Sequence, residues 1–376
     1  MKTIKQTIGA LLLFGFILGS VSCSKDQASL QPTEAAAPDV LRIYSWSEYF
    51  DEEVFAQFEE QTGIKIDYDV FEDTDEMIAK LRSEPGQFDV IVADDSIISS
   101  VAELRLIRPL DKKLVPNLAN IAAEHLNLSF DPGNEFSVPY MWGTTLVAYR
   151  SDKISDPQES WDLLWNPELK GKAMVIDERF ELLSLAKFVA GHPIDSIEPA
   201  HFADASAKII SLVNDLDAQF GSDADVRKGL DSGEVWAAMC YSGDAAMVAA
   251  ENENVSFFIP SEGAPLWIDS FAIARDSNHS LSAHKLVNFM LEAKVAAANT
   301  NYTYYASPNK AALPYISTEI LEDKSIYPSA EVREKCRYYA KEGAELAELQ
   351  NRAWHKIQLQ RQSRINTARV GSDEPE

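Results

Sequence analysis

Cysteine, histidine and positive charge are all scarce in this 376-residue chain, and each scarcity removes a class of function. Cysteine occurs three times and histidine six times. No pair of either stands at metal-site spacing, and the scattered histidines offer no catalytic cluster. Basic residues number 34 against 59 acidic ones, a formal net charge of −25. A nucleic-acid partner requires the opposite sign. The acidity suits plain solubility and also the long-range attraction of cations. The uncharged apolar run from Ile8 to Val21 is shorter than the roughly 20 residues needed to cross ~30 Å of hydrocarbon.

The remaining composition is that of a folded protein. Hydrophobic residues make up 46% and aromatics 10%, which excludes global disorder, and the length suffices for two ordinary domains. Lys2 and Lys5 before the apolar run make residues 1–22 a secretory signal. The run ends at Ser22-Cys23-Ser24, which resembles a bacterial lipoprotein cleavage site with Cys23 as the lipidated residue, although Ser20 stands where such sites carry Leu. Residues 23–39 are Ser/Gln/Ala/Pro-rich and read as a flexible tether, and residues 362–376 as a polar, frayed tail. Cys240 and Cys336 can pair by oxidation in an exported compartment. Two separate buried thiols are the simpler expectation.

Between these ends, short β-rich runs alternate with helical ones. Val40–Ser45, Ile64–Phe71 and Phe88–Ala93 read as strands, with helices at Glu48–Gln61 and Asp75–Ser83 between them. This βαβαβ order predicts an α/β protein with a largely parallel sheet covered by helices. Further strands are expected at Lys172–Ile176 and Val235–Tyr241, and helices at Ile209–Asp215, Leu281–Leu291 and Ser329–Lys356, the last of them open to breaks. Ligands of such sheets bind beyond the carboxyl ends of the strands.

Those ends are unusual. Tyr44-Ser45-Trp46-Ser47-Glu48-Tyr49 follows the first strand, and Tyr241-Ser242-Gly243-Asp244 follows a later one. Leu266-Trp267-Ile268-Asp269-Ser270 precedes an apolar strand, and Tyr304-Tyr305 lies in an aromatic, amide-rich segment. Asp177-Glu178-Arg179-Phe180-Glu181 adds carboxylates. Alone, each is a packing aromatic, a turn aspartate or a solvated helix start. Together they describe a pocket for an organic cation. A carboxylate in apolar surroundings is costly unless a cation compensates it, and aromatic faces attract ammonium groups while packing on methylenes. A polyamine combines charged ends with a hydrocarbon spacer.

At these residues the chain resembles the bacterial periplasmic spermidine/putrescine-binding proteins of ABC transporters. The matching segments run from about Leu41 to Lys356: YSWSEYF (44–50), FDVIVADDS (88–96), SVPYMWGTT (137–145), SWDLLWNPELKGK (160–172), YSGDA (241–245), EGAPLWIDSFAI (262–273) and NYTYYASPNKAA (301–312). The resemblance implies a two-lobed periplasmic-binding-protein fold of type II, each lobe a mainly parallel sheet flanked by helices. Residues 40–143 with 268–313 would form the N-terminal lobe, and 144–267 with 314–361 the C-terminal lobe, with ligand enclosed between them. It further implies that Trp46, Tyr49, Tyr241, Trp267 and Tyr305 wall the ligand, and that Ser47, Glu48, Asp244 and Asp269 hold its amines. Ser96 and Asp244 look like putrescine-preferring members; Trp267 and the pair Glu178/Glu181 look like the spermidine type. A glutamine of the spermidine binders is replaced, with Tyr338-Tyr339 near its place, so the lean is slightly to putrescine. No cofactor, covalent chemistry or metal is expected. The expected setting is the periplasm or cell envelope, with a monomer anchored through Cys23 and a permease as partner.

Other readings fit less of the sequence. A glycoside hydrolase also uses two carboxylates, but nothing sets their spacing here. Ferric-ion capture through Tyr304-Tyr305 or Tyr338-Tyr339 leaves the aromatic-plus-acid motifs unexplained. An amino-acid-like ligand wants an Arg for its carboxylate, and Arg179 is the only basic residue in the five aromatic and acidic segments at the strand ends.

Overall fold

The computed structural model describes residues 40–71, 73–339 and 343–372. The signal segment, Cys23 and the tether therefore lie outside the described residues. Among the described residues, ten strands join in one sheet: β1 (Val40–Ser45), β2 (Lys65–Val70), β3 (Val90–Asp94), β4 (Ser137–Arg150), β5 (Ala173–Ile176), β6 (Gln219–Gly221), β7 (Ala237–Tyr241), β8 (Val255–Phe258), β9 (Pro265–Ile273) and β10 (Arg337–Tyr338). Their order is β2-β1-β3-β9-β4-β7-β5-β6, with β8 added to β4 and β10 to β9.

The expected βαβαβ start is present. β1 pairs in parallel with β2 and β3. The intervening helix Glu52–Thr62 buries Val54, Phe55 and Phe58, is capped by the Asp51 carboxylate on the Glu53 N–H (3.0 Å), and stops at Gly63 with φ 73°. That left-handed end is natural for glycine. At the other flank β5 pairs in parallel with β6 and β7.

The middle of the sheet is antiparallel, because two long strands link its halves. β4 is 14 residues long. Its first half, Ser137–Thr144, pairs with β9, and its second half, Thr145–Arg150, pairs with β7 and β8. β9 pairs with β3 from Asp269 to Ile273 and with β10 at Pro265 and Leu266. All nine residues of β9 are buried, Asp269 and Ser270 included. The sequence reading put the Trp267-to-Asp269 segment ahead of a strand. It lies inside one, because β9 is covered on both faces and so lacks polar alternation.

Apolar side chains gather in two cores. One contains Leu41, Ile43, Phe50, Val54, Phe58, Tyr140 and Phe271, and the other Leu146, Val147, Trp161, Leu183, Ile209 and Met239. Trp46, Tyr241 and Tyr339 are partly buried and pack against both. Trp161 is fully buried and donates its indole N–H to the Gly263 carbonyl (2.9 Å), so the tryptophan-rich segment is structural. Cys240 and Cys336 are separate buried thiols.

The break left open in Ser329–Lys356 is present: the segment holds the short helix Ala330–Arg333, then β10, then a new helix, Ala344–Ser372. One expectation at the C-terminal end is corrected: residues 362–372 are not a frayed tail, since that helix runs through them. Arg361 grips Asp177 with both guanidinium nitrogens (2.7 and 2.8 Å), and Arg364 pairs with Asp217. The same helix buries Leu346, Leu349, Ala353 and Ile357 in the core, and beyond Ile357 these charged anchors hold its polar continuation.

Candidate functional site

β9 supplies the centre. Trp267 and Asp269 are two residues apart and so share a face of the strand. Trp267 lies opposite Gly143 of β4, where a Cβ would come within 2.5 Å of the indole. The missing side chain is what admits the ring. Asp269 lies opposite Asp94, the last residue of β3. Two like charges directly opposed on a sheet are destabilising unless something neutralises them.

Around this pair stand tyrosines. The Tyr49 hydroxyl donates to Asp269 Oδ2, and Tyr140 donates to the Tyr49 carbonyl (2.8 Å). Ring centroids lie 5.8 Å apart for Tyr49 and Tyr305, 5.0 Å for Trp267 and Tyr305, and 5.8 Å for Trp267 and Tyr241, all edge to face. Tyr305 is placed by its backbone. Tyr304 closes the helix Ala293–Thr303 in a left-handed turn (φ 59°), and Ala306 then exchanges backbone hydrogen bonds with Trp142 of β4 at 2.9 and 3.1 Å. The Tyr305 ring lies over Gly243, where a Cβ would come within 2.4 Å of it. Next to Gly243, Asp244 opens the helix Ser242–Glu251.

Thus Tyr49, Tyr241, Trp267, Asp269 and Tyr305 share one cluster, with Asp244 beside it. Trp46 stands at its edge, 4.4 Å from the Phe71 ring. Ser47 and Glu48 are exposed, and Glu48 has a φ of 52°. Glu48 is not a free carboxylate: Arg227 bridges it (2.6 Å) to Asp244 (3.2 Å). Ser96 is buried and donates its N–H (2.9 Å) and hydroxyl to Asp94. Glu178 caps the helix Arg179–Val189 on the N–H groups of Phe180 and Glu181, which is the helix-start role its position allowed. Glu181 is buried and accepts from the Thr145 and Tyr339 hydroxyls, one on each oxygen.

The carboxyls of this site are held well above their ordinary range, first of all by burial. Asp269 is pushed up to about 7, with Asp94 adding to the effect and the Tyr49 hydroxyl opposing it. Asp244 rises to about 7, helped by Asp223 and opposed by Arg227. Glu181 rises to about 8 and Glu178 to about 7, and Asp94 contributes to both shifts. Asp94 and Asp95 are raised as well. None of Asp94, Asp269, Glu178 and Glu181 forms an ion pair among the described residues. In place of a counter-ion they receive hydrogen bonds: from Ser96 on Asp94, from Tyr49 on Asp269, from two backbone N–H groups on Glu178, and from the Thr145 and Tyr339 hydroxyls on Glu181.

Sequence reasoning passed over Asp94, Thr145 and Arg227, and named Tyr339 without giving it the contact with Glu181. Asp94 had a signal, since it ends a strand inside a quoted motif. Arg227 sits mid-helix in the polar run Asp223–Ser232 and had none. Tyr304 packs with one core and Tyr305 with the other, so that dipeptide does not converge on a single point.

A profile of the bacterial extracellular solute-binding proteins matches residues 53–327. The putrescine-binding periplasmic protein of Escherichia coli is 31% identical over 344 residues, covering 86% of this chain and 93% of its own. A spermidine/putrescine-binding periplasmic protein of Salmonella typhimurium is 32% identical over 309 residues, covering 81% and 88%. Among solved structures, the spermidine/putrescine ABC transporter substrate-binding protein of Streptococcus pneumoniae superposes with a TM-score of 0.75 at 30% identity, covering 86% of this chain and 99% of that one. A sheet in two halves linked by β4 and β9, with acids and aromatics gathered where they join, is the two-lobed architecture of these binding proteins, and this chain belongs to the bacterial extracellular solute-binding protein family.

Proposed function

We propose that this protein captures a polyamine, putrescine in preference to spermidine, and delivers it to an ABC permease. The observation that carries this reading is Asp269: a buried carboxylate facing Asp94, walled by Tyr49, Trp267 and Tyr305, with no basic side chain paired to it among the described residues. An ammonium group there would relieve the like-charge contact, and the rings would pack on methylenes. Charge-assisted hydrogen bonds of about 1.5–3 kcal/mol apiece, with such walls, reach the roughly −8 kcal/mol of a micromolar complex. The names of the relatives point the same way.

Residues 40–143 with 268–313 form one lobe in this reading and 144–267 with 314–361 the other. The change of partner along β4 near Thr144, and the pairing of β9 with β3 from Asp269 onward, support those boundaries. Ligand closes the lobes by touching both, and the closed form docks on the permease. The protein works outside the cytoplasm, as a monomer held to the membrane by lipid on Cys23. Chemical catalysis has no part in the cycle, and the family is one of binding proteins.

Equilibrium dialysis of residues 38–376 against labelled putrescine, spermidine, spermine and lysine tests this directly. Putrescine and spermidine bind at micromolar concentration or tighter, and lysine does not. Asp269→Ala and Trp267→Ala each lose roughly 2–4 kcal/mol of binding. Wild-type affinity in either variant contradicts the site, and silence with all four ligands contradicts the function.

A further inference from the structure

Arg227 is a cation built into the wall of the site. Its side chain is only 16% exposed and bridges two carboxylates from distant parts of the chain. Nη2 reaches Glu48, in the loop after β1, and Nη1 reaches Asp244, at the start of the helix after β7. These are two of the acids that the resemblance assigns to ligand amines. The guanidinium already stands on both.

The remaining acceptors can be counted. Both oxygens of Glu181 are taken by the Thr145 and Tyr339 hydroxyls, and both oxygens of Glu178 by backbone N–H groups. Asp244 keeps one oxygen, Oδ2, buried and with no hydrogen bond within 3.5 Å among the described residues, while the Tyr305 hydroxyl lies near enough to favour the ionised carboxylate. Asp269 accepts from Tyr49 on Oδ2 only. Among the described residues, an oxygen without a hydrogen bond thus remains on Asp244, on Asp269 and on Asp94, which accepts only on Oδ1; Asp94 and Asp269 oppose each other and form one acceptor position, and Asp244 the other. A ligand with two ammonium ends fits that count. A third ammonium directed toward Glu48 would meet Arg227 and its positive charge, and partly buried like charges repel strongly.

Resting on the polyamine reading, we propose that Arg227 is a specificity-determining residue that occupies an amine position at the Glu48–Asp244 end and so selects a dication over a trication. Removing its charge frees two carboxylates for a third ammonium.

The test measures the dissociation constants of putrescine and spermidine for the wild type, Arg227→Gln and Arg227→Lys by calorimetry. In Arg227→Gln the preference shifts toward spermidine by at least tenfold relative to the wild type. Arg227→Lys keeps the charge and stays within about threefold of the wild-type ratio, and its binding also reports that position 227 tolerates substitution. An unchanged ratio in Arg227→Gln, or an equal shift in both variants, overturns the selection by charge while leaving the polyamine reading intact. A wild-type protein that binds neither ligand overturns both.

Discussion

At the scale of single residues, the site is a set of carboxyls that ionise reluctantly. Asp94 and Asp269 face each other in register, and burial raises both. A carboxyl whose folded pKa lies above its unfolded value stabilises the fold fully below about pH 4, and that contribution is lost as pH rises through 7 to 8. Ligand-free protein is therefore expected to be more resistant to urea at pH 5.5 than at pH 8. Asp94→Asn keeps the cap on the helix Asp95–Glu103 and removes one charge of the pair, so it should gain up to about 1 kcal/mol at pH 8. Urea titration of both proteins checks this, and a loss of stability at pH 8 contradicts it. Residue identity was legible wherever an aromatic and an acid adjoin in sequence, as in Trp267 with Asp269. Asp94 showed its place at a strand end but not its pairing with Asp269, and Arg227 was hidden by a partner 179 positions away. Neither pairing leaves a local trace.

Among elements, the crossing strands do most to build the site. Runs such as Phe88–Ala93 declared themselves as strands by composition, and the helix Glu52–Thr62 by its apolar face and terminal glycine. β9 was obscured because a strand buried on both faces shows no period, and the helix Ala344–Ser372 because ion pairs rather than an apolar stripe hold its end. Glycines mark where elements meet most closely. Gly243→Ala would place a methyl within 2.4 Å of the Tyr305 ring and 2.8 Å of the Thr303 carbonyl. That crowding is expected to cost about 1–3 kcal/mol of stability and to displace the ring from the ligand wall. Putrescine affinity should fall at least tenfold in this variant, as followed by calorimetry together with thermal unfolding. Unchanged affinity would show that the Tyr305 ring is no part of the wall.

Over the whole molecule, the charge of −25 and the buried acids act at different ranges. The surface field gathers cations, and the site discriminates among them. Trp46, Tyr241 and Tyr339 touch both cores, so a ligand that contacts them biases the two halves toward one arrangement. The family resemblance made this plan readable from sequence, whereas the raised pKa values of the buried carboxyls emerge only from packing. Burial raises Asp244 and Asp269 to about 7 and so favours their protonated forms, and an arriving ammonium favours the ionised ones. Calorimetry of putrescine binding between pH 6.5 and 8.5, in paired buffers of different ionisation enthalpy, reads that exchange directly. Net proton release, with affinity rising as pH increases through 7 to 8, is the expected result; binding that takes up protons or is indifferent to pH would contradict the account.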